Sequence, residues 1–343
     1  MKLARWKGLA GSCFLAALLS MPMWGSDADK RPTAMPGTLN YVEGQTSMGG
    51  QSLDSKAVGS TTLQAGQVLT TGTGKAEILL TPGVYLRLGS NSSVKMISSN
   101  LTDTQVAVNQ GEAMLEVDQI YRQNYIHIDQ PGADTRIEKN GLYDFDATHK
   151  QVRVFDGKAV VRAEDHNTTV KGGHEVALND TGKFKAQGFN KNEVRQDDDL
   201  YRWSSLRSEY LSEANVDTAR MYYGVGGYGP GWWGPGWYWD PWFAGFTFLP
   251  GDGFFYNPFG WGFFSPVVVF RTPFVVAPFV AGRGVHHTFD GTRPVAIGKG
   301  FHNHAVTSFN GSRMGGFHRA PAMRSGFSGG TKSGSSSGTN VRR

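Results

Sequence analysis

The alternation of hydrophobic and polar positions is most regular in residues 70–94, TTGTGKAEILLTPGVYLRLGSNSSV. Strict alternation is typical of β-strands that bury one face. A Pro-Gly pair favours a turn, because proline presets φ and glycine tolerates positive φ. The segment therefore predicts a strand at Lys75–Leu80, a turn at Pro82-Gly83 and a strand at Tyr85–Leu88. Side chains on the second strand divide between two faces: Leu86 and Leu88 on one, Tyr85 and Arg87 on the other.

Short alternations of the same kind fill residues 39–182, which we interpret as one β domain. Many short strands at close spacing, with Gly, Asn and Asp between them, indicate an all-β sandwich, barrel or solenoid-like stack. Besides the two strands above, the pattern predicts strands at Leu39–Val42, Gln67–Thr70, Val94–Ile97, Gln105–Val108, Ala113–Val117, Tyr125–Ile128, Thr135–Glu138, Tyr143–Asp146, Val152–Phe155, Ala159–Val161, Thr169–Val170 and Glu175–Ala177.

The period of the pattern changes in residues 194–220, which predict one amphipathic helix. Asp197–Asp199 would lie at its N-terminus, where the helix dipole favours negative charge and a carboxylate can cap free N–H groups. We expect the helix to pack on the β domain rather than bind a partner, because helices normally bury their apolar faces within their own fold. Apolar side chains recur at mostly three- and four-residue spacing: Leu200, Trp203, Leu206, Tyr210, Leu211 and Ala214.

Residues 222–280 form a low-complexity segment in which Gly and Pro interleave with aromatic residues. This density of Gly and Pro opposes long helices and regular strands, although residues 267–270 and 274–276 could form short strands. The aromatic side chains could stack on sugar rings, form an adhesive surface, or collapse as a cover over the β domain. Six of the nine tryptophans lie here: Trp232, Trp233, Trp237, Trp239, Trp242 and Trp261.

Charge is concentrated at the C-terminal end. The whole chain carries a net charge of +5, but residues 281–343 alone carry nine basic side chains against Asp290, a net charge of +8. Their Gly/Ser/His/Arg-rich composition predicts a disordered basic tail. An exported chain meets anionic lipids, membrane surfaces and cell-wall polymers, which attract the same cations as nucleic-acid phosphates do. We therefore expect the tail to contact these partners rather than a specific nucleic acid.

Residues 1–28 have the layout of a secretory signal peptide, with basic residues before an apolar run and small residues near Ala28, the expected cleavage site. We therefore expect a periplasmic or secreted protein. The alternative is an uncleaved anchor, although the apolar run is shorter than the ~20 residues that span a bilayer. Cys13, the only cysteine, lies inside this segment, so a cleaved chain has no disulfide or thiolate. Cys13 as a lipid-attachment site is a further alternative.

Candidate chemical groups are few, and we expect no catalytic, cofactor-binding or metal site. The pairs Asp144/Asp146 and Glu112/Glu116 could do acid–base work, but we interpret them as solvated outer faces of half-buried strands. Gly72–Lys75 lacks the Walker spacing of a phosphate loop and predicts a turn. Histidines in the basic tail lack a closed ligand set, which indicates weak adventitious metal binding: His286, His287, His302, His304 and His318.

The β region resembles the FecR domain, the β-rich periplasmic signalling module of iron-dicitrate sensor proteins. The resemblance covers about residues 39–178, and its motifs are mostly strand and turn residues. The residues that carry it are Gly59, Leu63, Gly66, Leu69–Gly72, Lys75–Leu80, Pro82-Gly83, Leu86, Leu88-Gly89, Asn91-Ser92, Val106–Val108, Gly111-Glu112, Glu116-Val117, Gly141, Tyr143 and Val152–Val161.

The resemblance implies an envelope protein without enzymatic activity. Full FecR-type regulators carry a cytoplasmic anti-sigma segment, whereas here we expect a signal peptide to lead almost directly into the β domain. The expected function is therefore binding or scaffolding at the cell envelope, or envelope signalling, with an envelope protein or a cell-wall or anionic polymer as partner. The alternatives are a membrane-anchored FecR-type sensor that regulates a sigma factor, and a carbohydrate-binding cell-wall protein that uses the tryptophan-rich segment.

Overall fold

The computed structural model describes residues 33–178, 184–223 and 232–271. The predicted signal peptide, 1–28, and the predicted basic tail, 281–343, with its histidines, lie outside the described residues. So does the expected strand at residues 274–276. The predictions for these segments therefore stay predictions.

Two large β-sheets form the body of the protein. We call the eight-stranded one the central sheet, because it is covered on both faces. The strands expected from the alternation within residues 39–182 are all present. The two sheets also contain three short strands that were not expected, at Thr46–Met48, Gln51–Ser52 and Gln187–Gly188. In spatial order the central sheet contains β1 (Leu39–Glu43), β5 (Lys75–Leu79), β6 (Val84–Leu88), β9 (Glu112–Val117), β12 (Gly141–Asp146), β13 (Gln151–Asp156), β16 (His174–Ala177) and β17 (Gln187–Gly188).

The nine-stranded outer sheet packs on one face of the central sheet. Its neighbours are antiparallel except for the parallel pair β8 and β10. Along the sequence the chain visits the two sheets in turn, so the fold is a sandwich built from alternating short segments. In spatial order the outer sheet contains β15 (His166–Lys171), β14 (Lys158–Ala163), β11 (Ala133–Ile137), β10 (Tyr125–Gln130), β8 (Asp103–Gln110), β7 (Ser93–Asn100), β4 (Val68–Thr71), β2 (Thr46–Met48) and β3 (Gln51–Ser52).

The main hydrophobic core lies between the two sheets. Leu86 and Leu88 of β6 point into it, and Leu80, just after β5, is fully buried there. The predicted turn at Pro82-Gly83 joins β5 and β6, and Gly83 has a φ of +84°, which explains why glycine suits this position. The alternation therefore identified the core-facing side chains of these strands correctly.

Two helices follow the sheets where the sequence predicts one. Helix α1 spans Lys191–Asp197 and helix α2 spans Asp199–Tyr223. The chain is extended at Asp198 between them, and its carboxylate Oδ1 accepts the N–H of Tyr201 at 2.9 Å, which caps the start of α2. The acidic run thus marks a helix N-terminus, as predicted. Within the described ranges, no helix combines the length and hydrophobicity needed to cross a membrane.

The described part of the aromatic segment folds into two hairpins and a short helix. These elements are β18 (Gly236–Asp240), β19 (Gly245–Leu249), β20 (Phe254–Tyr256), β21 (Gly262–Phe264) and α3 (Pro266–Arg271). The expectation that Gly and Pro prevent regular strands in this segment is wrong, because β18 and β19 are paired antiparallel strands of five residues each. The expected short strand at residues 267–270 is also wrong, because these residues belong to α3. Phe246, Phe248 and Phe263 pack against Tyr85 of the central sheet and Leu211 of α2. The interpretation of this segment as a cover over the β domain is the one that the structure supports.

Helix α2 and the two hairpins bury the second face of the central sheet. All five residues of β6 are buried, although alternation predicts only one buried face. The reason is that alternation reports a difference between two faces and not what covers each of them. The polar face of β6 meets other protein groups instead of water.

Candidate functional site

The covered face of the central sheet carries charged side chains. Glu77 of β5, Arg87 of β6 and Glu116 of β9 are each 0% exposed. They lie side by side because β6 pairs with β5 on one edge and with β9 on the other, which sets Arg87 opposite Glu77. We call this set, together with Arg207 of α2, the buried ion network.

The ion network joins two basic and two acidic groups at short range. Arg87 Nε lies 2.7 Å from Glu77 Oε2, and Arg87 Nη1 lies 2.5 Å from Glu116 Oε2. Arg207 Nη2 reaches down from α2 to Glu77 Oε1 at 2.9 Å. Paired in this way, the charges nearly cancel, which is the condition under which buried ions are tolerated.

Polar side chains complete the network at both ends. Ser208 Oγ of α2 donates to Glu116 Oε1 at 2.8 Å, and Asn257 Nδ2, after β20, donates to the same oxygen at 2.6 Å. Asn40 Nδ2 of β1 donates to Glu77 Oε1 at 2.8 Å and to the carbonyl of Phe246 at 3.0 Å. The network thus ties together the sheet, the helix and the aromatic hairpins.

Burial and ion pairing act in opposite directions on Glu77. Burial alone would raise the pKa of its carboxyl, but the guanidinium groups of Arg207 and Arg87 outweigh it and lower the pKa to about 2. Glu77 is therefore ionised over the whole physiological range.

The carboxylate pairs predicted to be solvated are covered instead. Asp144 and Glu116 are fully buried, Asp146 is nearly so, and Glu112 is half-buried. Each pair does lie on the face opposite the main core, as the spacing predicts. The interpretation as a water-facing surface is wrong, because helix α2 and the hairpins lie over that face.

An acidic cleft of about 410 Å³ opens beside the buried ion network. It lies between the end of β9, the start of β12 and the loops around β20. Carboxyl, amide and aromatic groups line it, including Asp118, Asp156, Asp252, Asn140, Phe255 and Asn257.

Asp118 is the most unusual group in the acidic cleft. It is 4% exposed, and no hydrogen-bond donor among the described residues reaches either carboxylate oxygen. Burial, followed by the neighbouring carboxylate of Glu116, raises its pKa well above the usual range. A buried carboxyl without a donor is costly. Because both of its oxygens are buried, this environment favours the protonated, neutral form of Asp118.

Asn257 connects the cleft with the buried ion network. It lines the cleft, and its Nδ2 donates to Glu116 of the network, while Ser208 of α2 lies in hydrogen-bond contact with it. Its Oδ1 accepts the N–H of Trp261 at 2.8 Å and of Phe259 at 3.1 Å, which fixes its orientation. Asn257 therefore touches the cleft on one side and Glu116 and Ser208 on the other, so a shift of Asn257 would reach helix α2 directly.

The other candidates from the sequence lie elsewhere. Gly72–Gly74 precedes β5 as a bend and Lys75 begins the strand, so this segment is the predicted turn rather than a phosphate loop. Trp233 and Trp242 are 91% and 84% exposed, whereas Trp237 and Trp239 pack into the cover. The sequence did not predict that Asp118, Asn257 and Arg207 belong to this site, because long-range contacts leave no sign in the local pattern of residues.

Residues 67–182 match the family model described as FecR protein. The matched stretch supplies strands to both sheets and includes Arg87, Glu116 and Asp118. The chain contains a FecR domain. The resemblance stated from the sequence is thereby confirmed, and the FecR match supports a role in signalling at the cell envelope.

Two solved structures are also similar to the chain, both of a candidate anti-sigma factor from Parabacteroides distasonis ATCC 8503. Each is 15% identical and covers 37% of this chain and 62% of that chain, with TM-scores of 0.33 and 0.32. This chain therefore spans less than two thirds of the length of that protein. Among curated proteins, no match was found.

Proposed function

We propose that this protein is an exported, non-enzymatic envelope protein that binds a segment of another envelope protein in the acidic cleft and passes the binding event to helix α2. The observation that carries the proposal is the position of Asn257, which lines the cleft and donates to Glu116 of the buried ion network. The FecR domain supports the signalling context.

The chemistry of the cleft favours a partner rich in hydrogen-bond donors. Asp118, Asp156 and Asp252 supply carboxyl groups, and Phe255 and Tyr256 supply aromatic surface beside them. An Arg- or Lys-containing segment fits both features, since guanidinium and ammonium groups pair with carboxylates and lie well on aromatic faces.

Site-specific cross-linking in cells tests the proposal. A photo-reactive phenylalanine analogue replaces Tyr256 in the cleft or, as a matched control, Tyr125 on the outer sheet; both tyrosines are exposed. We expect a cross-linked envelope protein from position 256 that is absent from position 125 and is reduced by Asp118→Asn. Equal products from both positions, or none from 256, would contradict binding in the cleft.

Export is part of the same proposal and has its own test. We propose cleavage after Ala28, which gives a periplasmic or secreted chain, and we propose that the basic residues of 281–343 contact anionic polymers or the membrane surface. N-terminal sequencing of the exported protein should give a start at Asp29. An intact N-terminus would favour the alternative, a membrane-anchored FecR-type sensor that acts on a sigma factor.

Carbohydrate binding is a second candidate, favoured by the exposure of Trp233 and Trp242. Exposed indole faces can stack on sugar rings. Pull-down on peptidoglycan with wild type and with a Trp233→Ala, Trp242→Ala double variant distinguishes the candidates. Retention of wild type alone supports sugar binding. Equal retention of both proteins, or of neither, removes the role of these tryptophans.

A further inference from the structure

Three carboxylates meet at the opposite end of strand β9 from the acidic cleft. Glu112 starts β9, Asp144 lies on the neighbouring strand β12, and Asp198 lies between helices α1 and α2. One oxygen from each lies within 4.8 Å of the others. These residues are brought together from three separate elements, so their proximity is a product of the tertiary fold.

Asp144 gives this cluster an acceptor that the protein itself does not fill. Its side chain is fully buried, and its Oδ2 accepts from Arg153 Nη1 at 2.7 Å. Its Oδ1 is buried without a hydrogen-bond partner among the described residues. An unpaired carboxylate oxygen in the interior costs free energy unless a proton or a cation satisfies it.

The charge balance of the cluster is negative. Arg153 pairs with Asp144 and also lies 3.5 Å from Glu175, so one guanidinium serves two carboxylates. Besides Asp144, the carboxylates of Glu112 and Asp198 lie in the cluster, with one oxygen from each of the three within 4.8 Å of the others. Like charges this close repel one another, so an added positive charge would stabilise the cluster.

We propose that Glu112, Asp144 and Asp198 bind a calcium ion that fastens the start of helix α2 to the central sheet. All three ligands are carboxylate oxygens, the donors that hard divalent cations prefer, while zinc and copper favour nitrogen and sulfur. Calcium–oxygen distances of about 2.3–2.6 Å allow ligand oxygens on opposite sides of the ion to lie up to about 5 Å apart. The observed spacing fits within that limit.

The position of Asp198 explains what the ion would do. Its Oδ1 already caps helix α2 through the N–H of Tyr201. A cation held between this residue and two sheet carboxylates would link the helix start directly to β9 and β12. The site does not touch the acidic cleft, so this inference is independent of the proposed function.

Calcium titration of the full mature chain tests the site. The protein is first dialysed against a chelator, and binding of CaCl₂ is measured by isothermal titration calorimetry and by the shift in Tm. We expect one ion per chain with a Kd of about 10⁻⁴–10⁻³ M, the range typical of extracellular calcium modules, and a Tm that rises with calcium concentration.

Matched variants locate the ion. Asp198→Asn should raise the Kd at least ten-fold, and its amide oxygen can still accept the N–H of Tyr201, so the helix start is preserved. Glu112→Gln should have the same effect. Asp197→Asn, at the adjacent exposed position, should bind calcium as the wild type does.

Two outcomes would overturn the proposal. The first is that the wild type shows neither heat of binding nor a Tm shift at calcium concentrations up to about 10-fold above the upper expected Kd. That result would assign a shared proton, and not an ion, to Glu112 and Asp144. The second is that Asp197→Asn weakens binding as much as Asp198→Asn, which would indicate diffuse attraction to the acidic run. Equal stabilisation by magnesium would broaden the ion class and contradict the selectivity for calcium.

Discussion

Carboxyl groups on the same covered face of the central sheet have opposite environments. Glu77 lies between the guanidinium groups of Arg87 and Arg207, which hold its pKa low. Asp118 is almost as buried, but the neighbouring carboxylate of Glu116 adds to the effect of burial and raises the pKa of Asp118. The side-chain type is nearly the same, so the difference comes from the neighbours that the fold provides.

Asp118 should make the protein less stable as the pH rises. Its pKa is higher in the folded than in the unfolded state, so the folded state binds the proton more tightly. The associated stability is present below the unfolded value, about 3.9, and is lost as the pH rises towards the folded value. Asp118→Asn removes this titration, so the fall in unfolding free energy between pH 5 and pH 8 should be shallower than in wild type.

Urea unfolding at several pH values measures this effect. The control is Asp165→Asn in the exposed turn between β14 and β15, which should follow the wild-type curve. Parallel curves for wild type and Asp118→Asn would show that Asp118 does not hold its proton more tightly in the folded state.

Leu80 tests the orientation of the first hairpin. It is fully buried in the core between the sheets. Leu80→Asp places an unpaired carboxylate there, at a cost of about 3–5 kcal/mol, which is a large part of the stability of a typical domain. We expect the variant to unfold, as measured by circular dichroism. A soluble variant that still unfolds cooperatively at the wild-type temperature would contradict the assigned strand face.

At the scale of single elements, helix α2 is held by polar contacts as well as by its apolar stripe. Leu200, Trp203 and Leu211 are buried as predicted, but Tyr210 from the same expected stripe is exposed. Asn215 Nδ2 donates to the carbonyl of Phe248 at 2.9 Å, one of several side chains that join α2 to the hairpins. The helix therefore recognises a particular surface rather than any apolar one.

Arg207→Met should separate the ionic contribution of α2 to the free energy of unfolding from the contribution of its packing. Loss of Arg207 leaves Arg87 alone to balance both Glu77 and Glu116. One negative charge of the buried ion network is then uncompensated, at a cost of about 3–5 kcal/mol. Arg202→Met on the exposed side of the same helix is the matched control, with an expected change within about 0.5 kcal/mol. Chemical denaturation measures both. Similar losses for the two variants would show that the network adds nothing to the attachment of α2.

At the scale of the whole molecule, the fold has three layers: outer sheet, central sheet, and a cover of α2 with the aromatic hairpins. The cover carries its own apolar clusters, in which Phe246 and Phe263 pack against Tyr85. This arrangement makes the described aromatic segment part of the folded unit. The FecR match ends at residue 182, so the layer that completes the central sheet lies outside the matched stretch.

Truncation tests whether the two sheets depend on the cover for their stability. A chain that ends at Tyr223 loses the hairpins, exposes Leu79 and Tyr85 to water and leaves polar groups of α2 without partners. We expect a lower Tm and aggregation, measured by thermal unfolding with light scattering. A chain that ends at Arg271 keeps the hairpins and should match the full-length Tm. Equal Tm values for both truncations would mean that the cover does not support the sheets.

The sequence by itself determined most strands of the two large sheets, the turn at Pro82-Gly83, the FecR domain and the existence of a helix after it. These features depend on local periodicity and turn chemistry, which a single chain displays directly. It did not determine whether the polar face of the central sheet meets water. Pairs such as Asp144/Asp146 look the same in either case.

Only the tertiary structure decided the covered face, the acidic cleft and the carboxylate cluster. Arg207 contacts Glu77 across 130 residues of sequence, and Asn257 contacts Glu116 across 141. Contacts at such separation leave no local periodicity, because their partners are chosen by how the layers pack. The alternation in β5 and β6 determined which side chains point away from the core. The cover over that face determined that these side chains are buried in an ion network and not exposed to water.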